Sequence, residues 1–219
     1  MTDPADGEWR GPGRGRGSGS DRRKPSLAER REQRASETDP EVVLNAAARF
    51  LEVRPRSVAE VRRRLRSAGY AAGLVERAVE RLVELGFLDD AAFARAWVES
   101  RDRARPRGER ALRLELRQKG VGREETDEAL DGRRDEAAAR SADEDPDGGG
   151  TGSADEAAAE RLLARRASQL GRVPDPRVRR QRAYALLARN GFDPGVCSTV
   201  AKRFAEAGDG DEAAEADDG

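Results

Sequence analysis

"LRQKGV", Leu116 to Val121, decides the fold because its form occurs three times in the chain. "LRSAGY" at Leu65 to Tyr70 and "LARNGF" at Leu187 to Phe192 share its layout: a leucine, three mostly polar residues, a glycine and an apolar residue. Glycine tolerates the left-handed conformation in which many helices end, and the apolar residue after it can fold back onto the last turn. Each copy therefore reads as a helix C-terminus. Val61, Leu112 and Ala183 stand four residues before the three leucines, which keeps one helix face apolar. The glycines fall at 69, 120 and 191, and the excess of the second interval over the first is close to the length of a Gly/Asp-rich insert. A unit that recurs in this way is the mark of tandem structural repeats.

The flanking sequence supplies the other helices of each unit. Val42, Val43, Ala46, Ala47, Phe50 and Leu51 recur at helical steps. "RPRS" then breaks the chain, Ser57 can N-cap a helix carrying Val58, Val61 and Leu65, and Gly69 ends it. Leu74, Val75, Ala78, Val79, Leu82 and Val83 form a third amphipathic helix closed by Gly86. The pattern predicts an all-α fold of three tandem three-helix repeats in an elongated, curved array. Its expected parts are a disordered Arg/Gly-rich extension over 1–40, repeat one over 41–88 and repeat two over 89–134. An acidic linker over 135–154, repeat three over 155–207 and an acidic disordered tail over 208–219 complete it. Units this small should stack on their neighbours to gain enough core.

Composition narrows the chemistry. The chain has 219 residues, 39% charged and 36% apolar, with one cysteine, no histidine and a net charge of -1. One cysteine allows no internal disulfide, and without histidine the common Cys/His zinc sites and His-based triads are excluded. No apolar run suggests export or a membrane span, so a cytoplasmic protein is expected. "GPGRGRGSG" has G-x-G spacings, but neither the preceding strand nor the following helix that a phosphate-binding loop needs. The acids do not form matched clusters that would hold a metal. The reading is therefore a non-enzymatic protein with no cofactor.

Two features could carry function. In "LGFLDDAAFARAWVESR", Leu85 to Arg101, Asp89 and Asp90 stand where one helix has ended and another begins. An aspartate there accepts hydrogen bonds from free helix-terminal amides, so capping explains the pair better than catalysis. Phe87 or Leu88 could staple the first turn, and Phe93, Trp97, Tyr70, Phe87 and Phe192 read as core or helix-end residues rather than a base-stacking platform. Cys197 reads as a small core residue. The second feature is basic. Arg110, Arg113 and Arg117 share one face, with Lys119 nearby, and Arg101 and Arg105 share another. Arg62 and Arg63 in repeat one and Arg179 and Arg180 in repeat three repeat the theme. A solvated face with Glu109 and Glu115 as partners accounts for some of this, and a ridge that grips an anionic surface is the alternative.

These residues carry a family resemblance. Gly86, Phe87, Leu88, Asp89 and Asp90, followed by Phe93 and Trp97, and the step from Leu116 to Val121 with Gly120, resemble the RecX family of bacterial recombination regulators. The likeness is strongest over about Ala47 to Leu130 and weaker over 155–207. It implies a protein that acts by binding. Its partner would be the RecA recombinase filament on single-stranded DNA, whose ATP hydrolysis, strand exchange and co-protease activity it would restrain, and so regulate DNA repair and the SOS response. A monomer is expected. The Arg-rich extension, acidic insert and acidic tail depart from the family's usual pattern. The alternative is direct binding of nucleic acid through the basic helices, without a recombinase.

Overall fold

Helix signals in the sequence become helices wherever a cap and an apolar stripe coincide. The computed structural model describes residues 26–144 and 153–216. In chain order the helices are α1 Leu27–Ala35, α2 Pro40–Leu51, α3 Val58–Ala68, α4 Ala72–Glu84, α5 Asp90–Ala104 and α6 Glu109–Lys119. They continue with α7 Arg123–Glu144, α8 Ala154–Ala164, α9 Ala167–Leu170, α10 Pro176–Arg189 and α11 Pro194–Ala216. Among the described residues every regular element is a helix. Helices α2 to α4, α5 to α7, and α8 with α10 and α11 form three successive three-helix units, as the repeat predicts. The four-residue α9 is an addition to the third unit.

Each unit has its own core. Val43, Val61, Leu65, Val75 and Leu82 pack in the first, Phe93, Val98, Leu112, Leu116 and Leu130 in the second, and Leu163, Ala183, Leu187, Phe192 and Cys197 in the third. The three recurring hexapeptides close α3, α6 and α10 in the same way. The amides of Tyr70, Val121 and Phe192 donate to the carbonyls of Leu65, Leu116 and Leu187 at 3.3, 3.1 and 3.4 Å. This is the six-to-one bond of a helix end that reverses at glycine.

The units join through the ends of their middle helices. Where α6 meets α3, the Ser57 hydroxyl donates to the Lys119 carbonyl at 2.6 Å while accepting from the Glu60 amide at 3.1 Å. Gly120, at φ 80°, lies so close that a Cβ would stand 2.3 Å from that of Ala59. The second joint repeats the plan. The Gly108 amide donates to the Asn190 carbonyl at 3.1 Å, and a Cβ on Gly191 would stand 2.5 Å from that of Ala111.

An aspartate from the next repeat completes each joint. Asp90, the first residue of α5, accepts from the Val58 amide at 2.9 Å, and Asp155, in the first turn of α8, accepts from the Glu109 amide at 3.1 Å. Val58 and Glu109 are the first residues of α3 and α6. The acidic pair thus has two tasks. Asp89 caps its own helix, accepting from the Ala92 amide at 2.9 Å, while Asp90 caps the middle helix of the preceding repeat. The second joint adds Arg133, only 7% exposed, whose guanidinium reaches Asp102 at 2.8 Å and Asp155 at 2.6 Å. Burial works against its charge, but Asp102 and Asp155 outweigh it and raise its pKa.

Four expectations need correction. Helix α1 lies inside the stretch read as a disordered extension. A Ser26/Glu29 capping box starts it, and Arg34 anchors it by donating to the Ala68 carbonyl at 3.3 Å and lying over the Tyr70 ring. It buries no residue, so it leaves no apolar periodicity to read. Helix α7 runs through the first part of the expected linker, where "DEAAAR" is a strong helix former, and the backbone of α11 runs into the expected tail to Ala216. Phe87 is not core: it is 67% exposed, and Leu88 fills the site instead at 1%. Residues 1–25 of the extension, 145–152 of the linker and 217–219 of the tail lie outside the described residues.

The joints make two tests. Burial raises the pKa of Asp90, the Val58 amide opposes this, and Glu125 adds to the rise. A raised carboxyl contributes stability that is present below its unfolded pKa and lost as pH rises through the folded value. Asn keeps the acceptor without the charge. Asp90→Asn should therefore be at least as stable as wild type at neutral pH, whereas Asp89→Ala and Asp90→Ala should each cost about 1 kcal/mol in urea unfolding. Arg133→Met takes from Asp102 and Asp155 the buried cation they share, with Arg161 at 3.7 Å still beside Asp102. It should cost about 3 kcal/mol and release repeat three, seen as amide exchange rising at Gly108 and Glu109.

Candidate partner-binding surface

Ion pairing sorts the arginines that the sequence groups together. Arg62 and Arg113 occupy the same place in their repeats, three residues before the leucine that precedes the closing turn. Each ties its middle helix to the third helix of its own repeat. Arg62 pairs with Glu76 at 2.9 Å, and Arg113 pairs with Asp127 and, at 2.8 Å, with Glu109. The Asp127 bond is the main reason the Arg113 guanidinium is held even more firmly charged than usual. These two are struts.

Arg101 and Lys119 are also committed. Arg101 pairs with Glu115 at 2.6 Å and lies 4.2 Å from the centre of the Trp97 ring. Trp97 donates its indole N–H to the same Glu115 at 2.9 Å and stacks on Phe93. Lys119 sits 4.9 Å from the Trp97 ring centre and pairs with Glu60 at 2.8 Å, across the joint between repeats one and two. Burial pushes the Glu60 pKa up, but Lys119 and then Arg54 bring it below the ordinary value. Trp97 thus organises a polar frame as well as a core.

Arg179 must be withdrawn from the surface set. It is 2% exposed and donates to the Val173 and Ala205 carbonyls at 3.1 and 3.3 Å, tying α10 to the preceding loop and to α11. Its register brings it to the core face, which the run of arginines over 177–182 hides. Arg63, Arg105, Arg110, Arg117 and Arg180 remain exposed, and among the described residues none is paired with a carboxylate.

Comparison of equivalent positions explains why Arg117 stays open. Its counterpart in repeat one, Arg66, shares Glu76 with Arg62 at 2.6 Å. In repeat two the matching acid is Asp127, one methylene shorter, and it already serves Arg113 and Arg123. Arg110, Leu114 and Arg117 then line a groove of about 750 Å³ with Val121 from the turn after α6 and Arg123 and Thr126 from the start of α7. Leu114 is 45% exposed. A second cleft, at the joint of repeats two and three, is arginine-rich too, but Arg133 at its base is already bound to Asp102 and Asp155.

Other chemistries find little material. Among the described residues no group of three or more His, Cys, Asp or Glu could hold a metal ion, and no helix is long and apolar enough to cross a membrane. Cys197 is buried and its thiol pKa is pushed up by that burial, which works against reactivity. Sequence reasoning missed Arg133, Asp155 and the reach of Asp90 across the joint. Only the acids near the start of each repeat's first helix hint at the last two.

The comparisons with known proteins agree with this architecture. Residues 44–82 match the family model of the first three-helix domain of RecX, and residues 89–130 that of its second. The regulatory protein RecX of Mycolicibacterium smegmatis is 34% identical over 166 residues, spanning 74% of this chain and 79% of the relative. That of Thermobifida fusca is 33% identical over 159 residues, spanning 73% and 76%. That of Prosthecochloris aestuarii is 42% identical over 95 residues, but the match spans 43% of this chain and 63% of the relative. The crystal structure of RecX from Lactobacillus salivarius shares the fold with a TM-score of 0.60 at 18% identity, over 75% of this chain and 96% of that one. With three-helix repeats, two family domains in order and relatives aligned along most of their length, the chain belongs to the RecX family of regulatory proteins.

Proposed function

We propose that the chain binds the RecA recombinase filament on single-stranded DNA and lowers its ATP hydrolysis, strand exchange and co-protease activity, acting by contact rather than by catalysis. Membership of a family of regulatory proteins supports the reading, together with one observation. The middle helix of repeat two keeps two cations, Arg110 and Arg117, exposed and without carboxylate partners among the described residues, although neighbouring arginines are neutralised. Open cations of this kind suit a partner that offers acidic protein surface, phosphate or both. Arg63, Arg105 and Arg180 extend the same surface property to the other helices.

The reading has a direct test in the RecA ATPase on single-stranded DNA. Amounts of this chain stoichiometric with the filament should depress hydrolysis, and unchanged hydrolysis would contradict the proposal. Arg110→Glu with Arg117→Glu should raise the half-inhibitory concentration about tenfold, since two exposed charge contacts are worth about 1 kcal/mol or less each. Helix content should not change, because neither side chain has a structural partner among the described residues. Arg113→Glu should instead lower thermal stability, because it sets a third carboxylate beside Glu109 and Asp127. The alternative, direct nucleic-acid binding, requires tight binding to naked single strands with a steep loss on adding salt, and a flat salt slope would count against it.

A further inference from the structure

We infer that the groove between α6 and the start of α7 docks an acidic peptide segment carrying an apolar side chain, so that this surface contacts protein rather than nucleic-acid phosphate. The inference deepens the filament reading and rests on it for the partner's identity, while the groove's own chemistry stands apart from it. Leu114 lies between Arg110 and Arg117 on one helix stripe, about one turn from each, and is 45% exposed. Val121 lies beneath at 6% exposure, and Arg123 stands on the rim, pairing at 3.4 Å with an Asp127 already bound by Arg113.

A phosphate backbone would gain from the arginines and nothing from the leucine. Its contacts are polar, and single strands add to them by stacking bases on aromatic rings, none of which lines this groove among the described residues. Carboxylates flanking a buried aliphatic or aromatic side chain use both features. The carboxylates can take charge-assisted hydrogen bonds from Arg110 and Arg117, and the apolar group can cover Leu114. Leu114 has no structural reason to be apolar here. The corresponding position in repeat one is Arg63, also exposed, so the fold accepts a fully polar residue at this place.

The test uses the full chain and three labelled probes: a short Asp/Glu peptide with a central Phe, the same peptide with Ser in place of Phe, and an oligo(dT) strand. Wild type should bind the Phe peptide about tenfold more tightly than the Ser peptide, the gain expected from covering half a leucine. Leu114→Ser should abolish that preference and leave oligo(dT) affinity unchanged, and Arg117→Gln should weaken both peptides. Equal affinity of wild type for the two peptides, or an equal loss of peptide and oligo(dT) on Leu114→Ser, would overturn the inference. Tighter peptide binding by a full-length variant whose carboxylates over 209–218 are neutralised would place this chain's own tail in the groove and overturn the assignment to a partner. In the RecA assay the two failures separate. A wild type without inhibition defeats the filament reading, whereas an inhibiting wild type matched by an equally inhibiting Leu114→Ser defeats only the groove.

Discussion

The array depends on the abutment of middle helices end against end. A helix C-terminus presents unsatisfied carbonyls and a partial negative charge, and an N-terminus presents free amides and a partial positive charge. Bringing the end of α6 to the start of α3, and the end of α10 to the start of α6, lets each satisfy part of what the other lacks. The approach must be close, which is why Gly120 and Gly191 face Ala59 and Ala111. A glycine already needed to end the helix serves again as the point of contact. One conformational requirement thus sets both the length of each unit and the way units meet.

Because each repeat holds a core of its own, the joints are mostly polar and their strength rests on a few directed contacts. Asp90 and Asp155 give each joint an acceptor from the following repeat, so that repeat's first helix is tied to the middle helix of the one before. The joints differ in reinforcement. Lys119 with Glu60 spans the first partly buried, whereas Arg133 spans the second nearly out of solvent, with two carboxylates and carbonyls around it. Buried charges of this kind add less net stability than directional constraint, since pairing offsets a large desolvation cost. Arg133 thereby ties Asp102 of the second repeat to Asp155 of the third.

The same pairing logic creates the candidate surface. Of the ten basic residues first grouped as ridges, the fold pairs Arg62, Arg101, Arg113 and Lys119 with acids as struts and buries Arg179 against carbonyls. What remains open is set by small differences between repeats, such as Asp127 in the place of Glu76. Arg117 stays available because one carboxylate is too short and too shared to reach it. A surface defined in this way is narrower than a count of arginines suggests, and it is interrupted by Leu114.

Much of the fold is legible in the sequence, because helix ends are local events. Gly69, Gly120 and Gly191, the caps Ser57 and Asp89, and the apolar stripes behind them depend on residues within a turn or two, so their spacing reveals three units without coordinates. The family resemblance is legible for the same reason, being carried by residues at those turns. Helix α1 was not, since it docks by Arg34 and a capping box instead of an apolar face. Nor was the sorting of the arginines, for whether Arg113 is a strut and Arg117 an exposed cation turns on Asp127 arriving from another helix. Asp90 marks the boundary most clearly. Sequence alone determined that it stands at the start of a helix; only the tertiary structure decided that its carboxylate serves the amide of Val58, 32 residues away, because hydrogen bonds between helix ends form only once the repeats are stacked.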